Sequence, residues 1–143
     1  MTVVRGLSRQ PERGASMSVT AVLLMPCLIL AGGLAVDGAQ QARARRQAHM
    51  VASQAARAGC DQSSAAQLTG RTGASGYGDG RARAAHLVAA ARPEGGSVSS
   101  AVRVEEDLLT VTVTVTRGTI VLSAIGLDSV RGQAVSSCRL IPR

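Results

Sequence analysis

The side chains best suited to chemistry in this chain are three cysteines, Cys27, Cys60 and Cys138, and two histidines, His49 and His86. Metal sites usually draw Cys or His ligands from short spacings such as C-x-x-C or H-x-x-x-H. Neither spacing occurs here, and neither a G-x-S-x-G nucleophile motif nor a Walker phosphate loop is present. The sequence therefore predicts a protein that is not an enzyme and that needs no metal and no cofactor.

Two of the cysteines can pair if the region after residue 36 is exported. Cys60 follows a predicted helix, and Cys138 lies in the last predicted strand. In an oxidising compartment they could form a disulfide, which would contribute ~4 kcal/mol in the chain-entropy account. Two buried free thiols are the alternative. Cys27 lies in an uncharged stretch, where a cysteine commonly serves as a small apolar residue.

The longest uncharged stretch covers residues 15–36, here called the apolar segment. As a helix it would span ~33 Å, enough to cross a hydrocarbon core of ~30 Å. A buried core helix and a cleaved signal peptide with its cleavage site near Ala35 are the alternatives. Since the helical pattern continues past Val36 without a clear break, we expect a single-pass membrane helix that the lipid bilayer surrounds.

The chain is strongly basic, with a net charge of +7, and every basic residue is an arginine. A basic surface can bind nucleic acid, so a membrane-tethered DNA-binding component is one alternative function. The arginines are dispersed along the chain, however, and Tyr77 is the one aromatic residue, so stacking platforms for bases are missing. A secreted binding module released by signal cleavage is the other alternative.

The pattern divides the chain into five parts. The division is a cytoplasmic leader (1–14), a transmembrane helix (15–36), an amphipathic helix extension (37–59), a Gly/Ser-rich linker (60–80) and a small exported α+β domain (81–143). In that domain we expect a short helix at 81–91 and strands at 98–104, 109–116 and 130–138, since Val and Thr alternate without a fault in the second strand. The predicted fold class is α+β: a long N-terminal helix, a short helix and a three-stranded antiparallel sheet.

The helix extension has one face of small residues at helical spacing. This face includes Ala48, Val51, Ala52 and Ala55. Small side chains let another backbone approach closely. We expect this face to dock the sheet of its own domain or a sister subunit.

Several short stretches, in their order and spacing, resemble the TadE/TadG-like family. These are pseudopilin-type components of tight-adherence (Flp) pilus systems, and the likeness is greatest to the actinobacterial branch. The stretches are RGASMSVT at 13–20, Pro26, GLAVDG at 33–38, AARAG at 55–59, LLTVTVTV at 108–115, IGL at 125–127 and RL at 139–140. Together they cover about residues 12–140.

The resemblance implies a structural protein of a pilus or related secretion apparatus in the cell envelope. It places the N-terminus in the cytoplasm and the C-terminal domain outside, with other pilin-like or secretion-apparatus subunits as partners. In the family a prepilin-type peptidase cuts after a glycine, and Gly14–Ala15 is the matching bond. Many members carry Glu at the fifth residue after that glycine; this chain has Val19 there. Cleavage and filament incorporation are therefore left open.

Overall fold

The computed structural model describes residues 13–71, 73–91 and 95–140, with the backbone alone for 13–16. Most of the predicted leader, residues 1–12, lies outside the described residues. The described chain begins with the 56-residue helix α1 (Arg13–Leu68). A second helix, α2 (Ala74–Ala90), follows it.

Three strands follow the helices, and they form one antiparallel sheet. Their bounds are β1 (Gly96–Glu105), β2 (Leu108–Gly118) and β3 (Ser129–Arg139). The order in the sheet is β1-β2-β3, so β2 is central. This architecture confirms the predicted α+β fold, and each strand is slightly longer than the Val and Thr pattern indicated.

The central strand has one face towards the helices and one towards solvent. On the inner face Leu109, Val111, Val113 and Val115 are fully buried, and on the outer face the four threonines between Leu109 and Arg117 are half-buried. This arrangement follows from the period of two in a strand, which sends alternate side chains to opposite faces. The Val and Thr alternation of the sequence therefore corresponds to a buried face and a half-buried face of β2.

The helix α1 has two parts with different surroundings. All described side chains from Met17 to Val36 are exposed, while the small residues from Ala44 onwards pack on the sheet. An apolar segment in which Gly33 is the one buried residue among those described is not the core helix of this domain, so that alternative is wrong.

The predicted linker at 60–80 is also wrong, because helix occupies most of it. The helix α1 continues past Gly59 to Leu68, and α2 begins at Ala74. The buried residues of α2 recur every four positions, at Gly76, Gly80, Ala84 and Val88. That spacing places them on one face. Gly76 and Gly80 allow close packing, and the folded body includes α2 and the second part of α1 as well as the sheet.

The crossing of the two helices depends on the absence of side chains at two glycines. A Cβ on Gly80 would collide with Ser63 Oγ and the Gly59 carbonyl oxygen. A Cβ on Gly59 would collide with Leu109 on β2 and would lie 2.9 Å from the Gly80 carbonyl oxygen. The two helix backbones therefore approach each other closely above the sheet.

The strands β2 and β3 run in opposite directions along α1. Gly132 at the start of β3 lies on the backbone of Ala44 and Arg45, and Cys138 near its end is joined to Cys60. The strand β3 therefore runs in the same direction as α1. As a result, the connection between β2 and β3, residues 119–128, lies at the end of the sheet nearest the apolar segment.

Candidate functional site at the base of the domain

The connection between β2 and β3, here called the basal loop (residues 119–128), is held to α1 by one carboxylate. Asp37 is 1% exposed. Its Oδ1 accepts a hydrogen bond from the Ile120 N–H at 2.9 Å, and its Oδ2 accepts from Val121 at 3.0 Å and Leu122 at 2.7 Å. One side chain thus satisfies three consecutive backbone donors.

These donors also set the charge state of Asp37. The N–H groups of Ile120, Leu122 and Val121 stabilise the carboxylate and lower the pKa of the Asp37 carboxyl below its ordinary value of 3.8, although burial opposes the shift. The carboxylate is therefore charged at neutral pH. The group acts as a fixed acceptor for the loop backbone, since its lone pairs are directed at donors within its own chain.

A second contact brings the basal loop beside the apolar segment itself. A Cβ added to Gly33 would lie 2.5 Å from Val121 Cγ1, so the glycine is what allows the Val121 side chain to rest on the helix backbone. Gly33 lies before the end of the apolar segment at residue 36. The loop therefore reaches past Asp37 to a level within the apolar segment.

The rest of the basal loop folds on itself. A short 3₁₀ helix, Leu122–Ile125, ends at Gly126, which has the positive φ of 85° that favours glycine. The Thr119 N–H donates to the Asp128 carbonyl oxygen and the Leu127 N–H to the Leu122 carbonyl oxygen. The 3₁₀ helix has no buried residue. Ile125 and Ala124 are exposed, whereas Leu122 is half-buried.

The predicted helix packing face docks on the sheet of its own domain. Ala48, Ala52 and Ala55 are fully buried in the core cluster, and Val51 packs against that cluster while partly exposed. The sequence left the sheet and a sister subunit as alternatives. Because the protein's own strands cover this face, it is not available to a sister subunit in this fold.

The two cysteines expected to pair lie together at the far end of the domain. A disulfide joins Cys60 to Cys138, which are 78 positions apart in sequence, and their Cα atoms are 6.5 Å apart. The bond connects α1 to the C-terminal end of β3. Cys27 is free and exposed on the apolar segment.

The remaining sequence candidates are not brought into a reactive arrangement. Both histidines are exposed and lie on different helices, His49 on α1 and His86 on α2. Among the described residues, no three Cys, His, Asp or Glu side chains cluster as metal ligands would. The Gly14–Ala15 bond lies in the first turn of α1, where the backbone alone is described.

The outer face of the sheet carries a shallow polar depression with no sign of a reactive group. Its lining residues are Ala101, Arg103, Glu105, Thr110, Thr112 and Gln133. The charged residues among them, Arg103 and Glu105, are exposed. Such a face can interact with a partner through hydrogen bonds, but it has no buried nucleophile or base.

The sequence analysis missed the role of Asp37 and of the basal loop. The one available signal was a lone acidic residue directly after the apolar segment, followed much later by an apolar stretch with no charge, residues 119–127. Neither pattern indicates that Asp37 and residues 119–127 are in contact. No protein-family model, no curated protein and no solved structure matches the chain.

Proposed function

We propose that this protein is a structural, non-catalytic, single-pass membrane component of a Flp/Tad-type pilus or a related secretion apparatus. Its N-terminus would lie in the cytoplasm and its α+β domain outside the membrane. The observation that carries the proposal is the division of one continuous helix. Apart from Gly33, residues 17–36 of α1 are exposed, and they carry no charge; the same helix then packs along a three-stranded sheet.

The exposed apolar segment favours a bilayer as its surroundings. In the described part of the chain, α1 is the one helix long and apolar enough to cross a membrane. Large side chains such as Leu24, Leu28 and Leu30 are more than half exposed within it. Each favours insertion by roughly a few tenths of a kcal/mol at the centre of a membrane helix. In water the same side chains would promote aggregation.

The contacts at the base of the domain favour a retained anchor over a secreted module. Cleavage near Ala35 would remove Gly33, on which Val121 rests. It would also leave Asp37 at the frayed start of a new chain, although three backbone N–H groups depend on its carboxylate. A domain built to be released would not be expected to place its contacts across the cleavage site.

The assignment to a pilus or secretion apparatus rests on the resemblance to the TadE/TadG-like family together with this architecture. An exposed apolar helix that continues into the folded domain suits subunits whose membrane helices pack side by side. Val19 stands where many members of that family carry the Glu that pairs with a neighbour's new amino terminus. We therefore favour the role of an anchored accessory subunit that keeps its leader.

Membrane insertion can be tested together with the identity of the mature N-terminus. Cell membranes are washed in alkaline carbonate, and the retained protein is analysed by intact mass. The expected result is full retention, with a chain beginning at Met1; a chain beginning at Ala15 would leave the anchor in place but contradict the retained leader. A chain beginning near Val36, or release into the wash, would contradict the anchor.

The pilus assignment needs a separate experiment in the native host. A photoreactive amino acid replaces Leu28 on the exposed apolar segment, and the matched control carries it at Val135 on the outer face of the sheet. We expect adducts from position 28 with other single-helix subunits of a surface apparatus, identified by mass spectrometry. Loss of surface filaments in a deletion strain would support the assignment. Normal filaments, with adducts to unrelated membrane proteins, would refute it.

A further inference from the structure

We infer that the basal loop is a second membrane-contacting element, which enters the interfacial layer of the bilayer on the side of the domain. The inference rests on the proposed membrane anchor but not on the assignment to a pilus. The apolar segment would cross the bilayer, and the loop beside it would lie in the layer between headgroups and acyl chains. The domain would then touch the lipid at two places.

The position of the loop along α1 is the first argument. Val121 rests on Gly33, and Gly33 lies about one helical turn, ~5 Å, inside the end of the apolar segment. Segments that lie in the membrane interface are typically buried ~5–10 Å into the boundary between headgroups and acyl chains. If residues 15–36 span the hydrocarbon core, part of the loop is at that depth.

The second argument is the composition of the surface that the loop presents. Ile120, Ile125 and Leu127 are 64%, 70% and 55% exposed. Surface loops at the end of a sheet are normally polar, because they face water. Here three large aliphatic side chains project from one short connection that is continuous with an exposed apolar helix. One lipid surface would cover both.

The third argument is that the loop backbone is prepared for surroundings with little water. Asp37 accepts the N–H groups at the start of the loop, at Ile120, Val121 and Leu122. Further N–H groups, those of Thr119, Ala124, Gly126 and Leu127, donate to carbonyl oxygens within the loop. Unpaired backbone groups are costly near the hydrocarbon region, so this pairing lowers the cost of entry.

The charges above the loop complement lipid phosphates. The exposed residues Arg43, Arg45 and Arg46 lie ~9–14 Å beyond Asp37 along α1. Helix side chains point back towards the N-terminus, so these guanidinium groups can reach the headgroup layer. A fourth exposed arginine, Arg131, lies on β3 just after the loop. The acidic residue nearest to Arg131 in sequence is Asp128, which is exposed at the end of the loop. The four exposed arginines therefore outnumber this exposed carboxylate.

The test uses tryptophan as a depth probe, because the natural chain contains none. Three single-Trp variants of the full chain are made: Ile125→Trp on the basal loop, Leu28→Trp in the apolar segment and Val135→Trp on the outer sheet face. Val135 is a matched control, since this aliphatic residue is 57% exposed. Each variant is reconstituted into phosphatidylcholine vesicles whose lipids are brominated either near the headgroup or near the chain end.

The inference predicts three different quenching patterns. Leu28→Trp should be quenched most by bromine near the chain end. Ile125→Trp should be quenched most by bromine near the headgroup, several-fold more strongly than Val135→Trp, which should be quenched little. Because all three probes are tryptophan, the preference of that residue for interfaces does not account for a difference between Ile125 and Val135.

The outcomes separate the inference from the proposed anchor. Quenching at position 28 with equal, weak quenching at positions 125 and 135 would overturn the loop contact and leave the anchor in place. No quenching at position 28 would overturn both. Leu127→Trp provides a second loop probe if Ile125→Trp fails to fold, and it should show the same headgroup-weighted quenching.

Discussion

At the residue scale, Asp37 links the two parts of the molecule. It is the first residue after the apolar segment, and its carboxylate binds three N–H groups more than 80 residues later in the chain. A neutral amide at this position has one acceptor oxygen, and its NH₂ group would face an N–H donor. A carboxylate, with two acceptor oxygens, is therefore the side chain that can bind all three loop donors.

The first prediction concerns the pH dependence of that contact. The N–H donors hold the pKa of Asp37 below 3.8, so the folded state gains stability from the carboxylate above about pH 4. This stability is lost as the pH falls through the lowered folded-state pKa. At pH 7 Asp37→Asn should have the lower unfolding temperature in detergent micelles. The difference in unfolding temperature between the variant and the wild type should decrease as the pH falls below 3.8.

A matched variant separates this effect from the general loss of a negative charge. Asp61 is an exposed carboxylate on the same helix, with no comparable set of backbone donors among the described contacts. Asp61→Asn should follow the wild-type curve at every pH when unfolding is monitored by circular dichroism. If Asp37→Asn kept the wild-type unfolding temperature at pH 7, Asp37 would not be holding the loop.

At the scale of elements, the packing of α2 on α1 is controlled by small residues spaced four apart. Gly76, Gly80 and Ala84 form a row on α2, and Gly59 and Ser63 on α1 face it. Close approach of two backbones increases dispersion contacts between them. This row compensates in part for a core without Phe or Trp.

The second prediction compares two glycines of α2. Gly80→Ala places a methyl group against Ser63 Oγ and the Gly59 carbonyl oxygen, so it should destabilise the domain by ~1–3 kcal/mol. Gly78→Ala meets nothing within 4 Å and improves helix propensity, so it should be neutral or stabilise by up to ~1 kcal/mol. Urea unfolding of both full-length variants measures the difference. Equal stabilities would contradict the close crossing.

The same elements explain which parts of the fold the sequence could predict. The faces of β2 were predictable because Val111, Thr112 and Val113 alternate with the period of a strand. The helix at 81–91 was predicted and forms the second part of α2, but the helical residues within 60–80 were missed, because glycine there was interpreted by composition. Its spacing, with Gly76 and Gly80 four residues apart, was the informative feature.

The candidate site was less predictable than the fold because its contacts are distant in sequence. The Asp37 carboxylate and the Ile120 N–H are 83 residues apart, and no local period relates them. The fit of Val121 on Gly33 likewise depends on the direction of β2 along α1. Such pairs can be identified once the sheet has been placed on the helix. The disulfide could be predicted from the sequence, because only Cys60 and Cys138 lie beyond the apolar segment.

At the scale of the whole molecule, α1 is both the proposed anchor and the longest element of the folded domain. Its 56 residues make it ~84 Å long. The sheet lies along its second part, and the disulfide attaches the end of the sheet to Cys60. The orientation of the domain relative to the bilayer would therefore be set by helix packing, without a flexible linker between them.

The third prediction uses the disulfide to report the orientation of the protein. The chain has three cysteines, and only Cys27 is free. Intact cells are treated with acid, and the denatured protein is then labelled with a polyethylene glycol maleimide. One adduct is expected without reductant and three after reduction. Three adducts without reductant would mean that the domain faces a reducing compartment, against the proposed orientation.

The contribution of the disulfide to stability can be measured on the same chain. Cys60→Ser should lower the free energy of unfolding by ~4 kcal/mol in the chain-entropy account, because it opens a loop of about 79 residues. Cys27→Ser is the control and should leave the stability unchanged, since Cys27 is free and exposed on the apolar segment. A loss of stability in both variants would point to a general effect of the substitution.

The covalent link between β3 and α1 also decides how the molecule would bear tension. The residues that follow Cys138 are attached through the sulfur bridge to Cys60. A pull on them would pass directly into α1 and along its axis towards the apolar segment. The hydrogen bonds between β2 and β3 would carry little of that force. In the proposed membrane anchor, the force would reach the apolar segment without first passing through the sheet.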